Sequence, residues 1–207
     1  NYSNSNFAVL KLNENGSVDT NFGSGGAVFS NFGRGEARSI IVQPDNKLII
    51  AGPIYAADNS NYGGDFGLIR LNPDGSQDLS FGSNGVVKTD FSSSNGFDVS
   101  IDYLLKAVSQ DDGKIVAFGI SSENGVVNHG DLSTNQYSLA RYNQDGTLDD
   151  TFGQNGKVSL NYSLNDDDGG RGVAIQSDGK IVTVGSSKIN SNYDVVLTRY
   201  NNDGSLD

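Results

Sequence analysis

The chain has no cysteine. That excludes disulfide cross-links, thiolate chemistry and zinc sites of the cysteine kind. Histidine occurs once, at His129, with no cysteine to form a soft-metal pair. No Gly-x-Ser-x-Gly elbow is present, and the Ser-x-x-Lys match at Ser177–Lys180 is the SDGK turn between two strands, so neither motif supports nucleophilic chemistry. Proline is scarce, at 3 residues, and hydrophobic residues make up 35 %. No apolar run approaches the roughly 20 residues of a transmembrane helix. No secretory leader is visible, although a mature or trimmed chain would have lost one.

The 207 residues include 27 Gly, 9 Tyr and 10 Phe, with abundant Asn. Glycine and asparagine suit many short strands joined by tight turns. The aromatic residues are enough to fill a core, which separates this composition from a disordered one. The formal net charge is −11. Such a field repels phosphate backbones and anionic lipid, so neither nucleic acid nor membrane insertion is expected. It suits solubility outside cells and attracts divalent cations.

Three elements recur at a period of about 60 residues, the signature of a solenoid, propeller or array. The first reads NENGSVDTNFGSGGAV from Asn13, NPDGSQDLSFGSNGVV from Asn72 and NQDGTLDDTFGQNGKV from Asn143, and starts again as NNDGSLD at Asn201. The second reads IVQPDNKLIIAG from Ile41, AVSQDDGKIVAFG from Ala107 and AIQSDGKIVTVG from Ala174. The third precedes each copy of the first: FAVLKLN from Phe7, FGLIRLN from Phe66, YSLARYN from Tyr137 and VVLTRYN from Val195.

Each period reads as four strands, rich in Val, Ile, Leu and Tyr and bounded by Gly, Asn and Asp. In the third copy these are GKVSLNY, RGVAIQ, GKIVTVGSS and DVVLTRYN. Asp-Gly at Asp112 and Asp178, and Asp45-Asn46 in the first copy, predict type I′ hairpin turns, which need positive φ. No amphipathic helix stands out; SIDYLLKAV falls on a strand position. The fold class expected is all-β: a β-propeller-like array of four-stranded antiparallel blades, about three blades plus one extra strand. Residues 1–207 form a single repeat domain, with repeats at approximately 7–65, 66–136 and 137–194 and a partial one at 195–207.

The combination N-x-D-G-S/T-x-D-x-x-F-G-x-x-G-x-V and A-x-Q-x-D-G-K-I-V-x-x-G resembles the delta-60 repeat, a β-propeller repeat of large bacterial surface or secreted proteins. The first copy departs from it at Asn15 and Asn46, and the middle copy lacks the smooth second strand. The resemblance implies a fold and an extracellular or cell-surface location; it carries no activity.

Four F-x-L-x-R-x-N strands stand against three copies of the other elements. Three blades do not close a ring, since about four are needed. The expected partners are therefore further blades of a longer chain or other copies of this one, assembled as a ring or by strand addition into a filament.

The recurring Asp ladder has two readings. Oxygens alternating at Asn72, Asp74, Ser76 and Asp78 suggest a calcium loop. But Gly falls at position 4 rather than 6, and no acidic residue follows at 12. The other reading is a turn in which Asn and Asp cap their own backbone. In it Lys11, Arg70, Arg141 and Arg199 pair with Asp19, Asp78, Asp149 and Asp207, eight residues on. No cofactor and no metal ligand are assigned; Asp74, Asp78, Asp145 and Asp149 are the positions calcium would use. The Asp166–Gly170 run is not a property of the repeat and reads as a solvated loop. Phe22, Phe81 and Phe152 read as wedges between blades.

Every recurring Asp recurs in each blade, whereas an active site appears once. The expectation is therefore no enzyme, with a carbohydrate-active enzyme as the alternative it displaces. Unique function would sit on the non-repeating loops. Ile54–Asp65 and Ser121–Gln136 emerge on one side and bring Tyr55, Tyr62, Asn124, Asn128, His129 and Asn135, a mixture suited to a glycan or a surface protein.

Overall fold

The computed structural model describes residues 7–29, 34–55, 64–91, 102–122, 135–160, 169–189 and 192–207. These residues form thirteen strands and no helix. The first blade has β1 (Ala8–Leu10) and β2 (Ala27–Phe29). The second has β3 (Ser39–Val42), β4 (Leu48–Tyr55), β5 (Gly64–Leu71) and β6 (Val86–Thr89). The third has β7 (Tyr103–Ser109), β8 (Ile115–Ser122), β9 (Asn135–Tyr142) and β10 (Lys157–Leu160). The fourth has β11 (Gly169–Ile175), β12 (Ile181–Ile189) and β13 (Asn192–Tyr200). Each is an antiparallel meander in chain order.

Thirteen strands is the expected total, but the grouping differs. The strand after the Phe-Gly turn was expected to open a new blade. Instead β10 lies beside β9, with Val158 opposite Leu139, and β6 lies beside β5. The long Asn-to-Gly link folds back on the strand it left. The Asp149 amide donates to the Arg141 carbonyl at 2.9 Å, and the Arg141 amide to the Gly156 carbonyl at 2.9 Å. The F-x-L-x-R-x-N strand is thus third in its sheet, and the link stays within a blade.

The hairpins also depart from the type I′ expectation. Positive φ falls only on the second turn residue: Asn46, Gly113 and Gly179. The Gln43 amide bonds the Lys47 carbonyl, and the Asn46 amide bonds the Gln43 carbonyl. This is a three-residue loop closed by a left-handed residue. The reason is the Asp side chain. Asp45 Oδ1 accepts the Lys47 amide at 3.1 Å, as Asp112 and Asp178 do for Lys114 and Lys180, so Asp prefers ordinary negative φ.

Blades stack face to face through three cores. Phe66 and Leu68 of the second blade pack with Ala140 and Tyr142 of the third. Tyr137 and Leu139 of the third pack with Ile181 and Tyr200 of the fourth. Val9 of the first packs with Ile69 and Leu71 of the second. Alternate residues of each third strand therefore face opposite neighbours, which is why these strands read as near-continuous apolar runs. The wedge assignment holds: Phe22, Phe81 and Phe152 belong to these cores and are fully buried.

The innermost strands β3, β7 and β11 border a cavity of about 720 Å³, lined by Ile40, Lys106, Val108, Asp111, Val173 and Ile175 among others. At Gly119 the inner strand runs so close that a Cβ would collide with the Tyr103 carbonyl. That explains the glycine after each IIA, VAF and VTV segment.

Candidate functional site

The recurring carboxylates form two kinds of contact. In the first, Asp74 Oδ1 accepts both the amide (2.8 Å) and the hydroxyl (2.7 Å) of Ser76. Asp145 does the same with Thr147, and Asp203 with Ser205. Asn15 does it with Ser17 through an amide oxygen, so the departure from Asp costs the turn no bond. Hydrogen bonds from these hydroxyls and amides hold Asp74, Asp145 and Asp203 below the usual carboxylate range.

The second is an ion pair within a blade whose arginine also reaches the next blade. Arg141 Nε donates to Asp149 Oδ2 at 2.7 Å, and Lys114 Nζ reaches the same oxygen at 2.8 Å. The guanidinium lies 4.6 Å from the centre of the Phe152 ring, and its Nη1 donates to the Asn202 carbonyl of the next blade. The second blade repeats this: Arg70 Nε to Asp78 at 2.7 Å, Lys47 to Asp78 at 2.9 Å, Arg70 Nη1 to the Gln144 carbonyl at 2.6 Å, and Phe81 beneath. Lys11 pairs with Asp19, and Arg199 with Asp207. All four basic residues thus meet the acid eight residues on. Burial alone would raise the pKa of Asp78 and Asp149. Bonds from the lysines and from Ser80 or Thr151, with the arginine charges, outweigh it and hold both far below the usual range. A calcium ion at Asp78 or Asp149 would have to displace two cations from each carboxylate.

The two ends of the blades differ. Antiparallel order puts the repeated turns at one end. At the other stand the strand ends that flank residues 30–33, 56–63, 92–101, 123–134 and 161–168. A cluster found once among the described residues sits there. Tyr103 donates to Glu36 Oε2 at 2.9 Å, and Tyr55 to Glu36 Oε1 at 3.3 Å. Arg38 pairs with Glu36 and donates to the Tyr103 hydroxyl, and its guanidinium carbon lies 5.0 Å from the centre of the Tyr103 ring. One carboxylate thus gathers groups from two blades. Burial raises the pKa of both tyrosines, and Glu36 adds to it, so both stay protonated as donors. Desolvation would lower Arg38, but Glu36 and Tyr103 reverse that and raise it.

Beside it, Asp65, Asp90 and Asp102 each present an oxygen within 4.8 Å of the other two. Asp102 is buried and accepts the Phe91 amide at 2.6 Å. Burial, then the Asp90 charge, raises the pKa of Asp65, against the pull of Lys88. Among the described residues these three are the carboxylates placed to hold one cation. All-oxygen donors would suit calcium or magnesium.

Of the sequence-derived loop residues, Tyr55 lies in the cluster. Asn135 opens β9 opposite Ser122. Tyr62, Asn124, Asn128 and His129 lie outside the described residues, as do Asp166–Asp168. Glu36, Arg38, Tyr103 and the three clustered carboxylates escaped the sequence reading. Their signal was a departure from the repeat: GRGEARS and SIDYLL have no equal in the other copies.

A family model described as "Domain of unknown function (DUF5122) beta-propeller" matches residues 1–22, 43–81, 110–152 and 176–207, more than half of the chain. Glu36, Arg38, Asp90, Asp102 and Tyr103 fall between the matched segments. No curated protein matches the chain.

Proposed function

The chain belongs to the DUF5122 β-propeller family, and from that membership we propose that it is a non-enzymatic module for binding or assembly at the bacterial surface. The delta-60 repeat is the finer family name we attach to it. The observation that carries the reading is the contrast between the two ends of the blades. The repeated carboxylates are taken up by turns and by ion pairs within their own blades. The cluster of Glu36, Arg38, Tyr55 and Tyr103, formed once among the described residues, stands at the opposite end, beside the non-repeating segments. Aromatic faces with paired donors and acceptors suit a sugar or a protein loop.

The test is binding of the intact chain to a glycan array and to bacterial envelope fractions, with and without EDTA. Selective binding weakened by Glu36→Gln supports the module. Binding indifferent to every change at this end removes it. Turnover abolished by Glu36→Gln, with the fold intact, would replace it with a carbohydrate-active enzyme.

A second reading, a structural subunit of a filament or ring assembled by strand addition, is favoured by the exposed apolar residues Val195 and Leu197 of β13.

A further inference from the structure

We propose that ordered water is built into the joint between the third and fourth blades, hydrogen-bonded to the buried hydroxyls of Thr183 and Ser187. Each blade turns one face to the preceding blade, and two positions on it can be counted from Gly52, Gly119 and Gly185. Two residues before the glycine stand Ile50, Ala117 and Thr183; two residues after it stand Ile54, Ser121 and Ser187. All six are buried. The second blade is apolar at both positions, and the fourth carries a hydroxyl at both.

A buried hydroxyl without a partner costs stability, so such groups are met by protein or by water. In the third blade protein meets it: the Ser121 and Ser138 hydroxyls bond each other at 2.5 Å. In the fourth, Val196 takes the place of Ser138; it lies opposite Gly185 as Ser138 lies opposite Gly119. Ser187 Oγ meets no hydrogen-bond partner among the described residues, and neither does Thr183 Oγ1.

The facing wall is polar at the same height. Tyr137 of the third blade stands where the second has Phe66. A methyl group on Gly185 would collide with the Tyr137 hydroxyl oxygen, which donates to the Ser186 carbonyl at 3.0 Å. The oxygen therefore sits over Gly185, between Thr183 and Ser187 on one face of β12. Positions two apart on such a face are about 7 Å apart, close to the reach of a water that bridges two hydroxyls. Water both donates and accepts, and buried water typically satisfies polar groups of this kind. It would leave only when the fourth blade parts from the third, so it exchanges slowly with bulk solvent.

The test is magnetic relaxation dispersion of water oxygen, which counts long-lived internal waters, on the intact chain and on Thr183→Val and Ser187→Ala. Thr183→Val keeps the side-chain shape, and circular dichroism should report an unchanged fold for both variants. Each variant is expected to hold fewer long-lived waters than the wild type and to melt at a lower Tm, because a bonded hydroxyl has been removed. A count unchanged in either variant overturns the site at that residue. An unchanged count with a raised Tm identifies a dry, unsatisfied hydroxyl there. Crystals of the wild type give a second reading that needs no variant. Solvent density within hydrogen-bond distance of Thr183 Oγ1 and Ser187 Oγ supports the proposal, and its absence at both overturns it.

Discussion

A methyl group placed on Gly146 would stand 2.9 Å from Cε2 of Phe81 and 2.9 Å from the Gly82 nitrogen. The same relationship joins Gly75 to Phe22 and Gly204 to Phe152. The wedge of one blade is thus seated on the turn of the next. The Gly82 amide locks it by donating to the Asp145 carbonyl at 2.7 Å.

Gly146→Ala is therefore expected to destabilise the chain. Gly146 has φ +88°, where a side chain costs on the order of 1–3 kcal/mol, and the added carbon also meets backbone that cannot give way. Chemical denaturation should show a lower midpoint with an unchanged slope. A midpoint equal to wild type would mean that the wedge and turn are not in contact.

Phe152→Ala should cost roughly 3–5 kcal/mol, as a large-to-small change in a packed core. Phe152 is fully buried against the fourth blade and lies beneath Arg141. The truncation loosens the clamp as well as the core. Thermal unfolding that matches wild type would disprove the wedge.

Acid should weaken the fold through the clamps. Asp78 and Asp149 are held below their ordinary pKa in the folded chain, whereas an unfolded Asp titrates near about 3.9. The sign follows: their stabilisation is complete above about pH 4 and is lost as the pH falls below it. Asp149→Asn leaves Arg141 and Lys114 without their carboxylate. Breaking a buried pair in this way costs about 3–5 kcal/mol at neutral pH. Measured down through pH 4, the variant should lose less further stability than the wild type. Parallel acid curves would assign the acid sensitivity elsewhere.

These clamps mark how far the residues alone lead. The Arg-to-Asp pairs, the wedges and the strand total were legible because each depends on spacing that recurs. The phase of the blade was not. Whether β10 joins β9 or β11 depends on the link folding back on Arg141, a long-range event with no local signature. The hairpin type was missed because the Asp45 side chain, rather than its backbone, decides the turn. The Glu36 cluster was missed for a different reason. It draws on β7 and on the segment before β3, which are distant in sequence and meet only once the second and third blades stack.

That cluster supports the last prediction. Tyr103→Phe removes the hydroxyl that bonds Glu36 at 2.9 Å and receives Arg38, and it leaves the ring under the guanidinium. Two hydrogen bonds are lost, each worth about 1 kcal/mol, so the blades should remain stacked. Glu36→Gln keeps the shape and removes the charge that orients Arg38. If the cluster only joins two blades, both variants lose modest stability and bind any glycan or protein ligand as the wild type does. If it is a recognition surface, binding falls several-fold in both, and more in Glu36→Gln, because that change frees the Arg38 charge. Calorimetric titration alongside thermal melts separates the two outcomes. A loss of affinity larger than the loss of stability assigns the cluster to recognition, and its absence returns Glu36 to the framework.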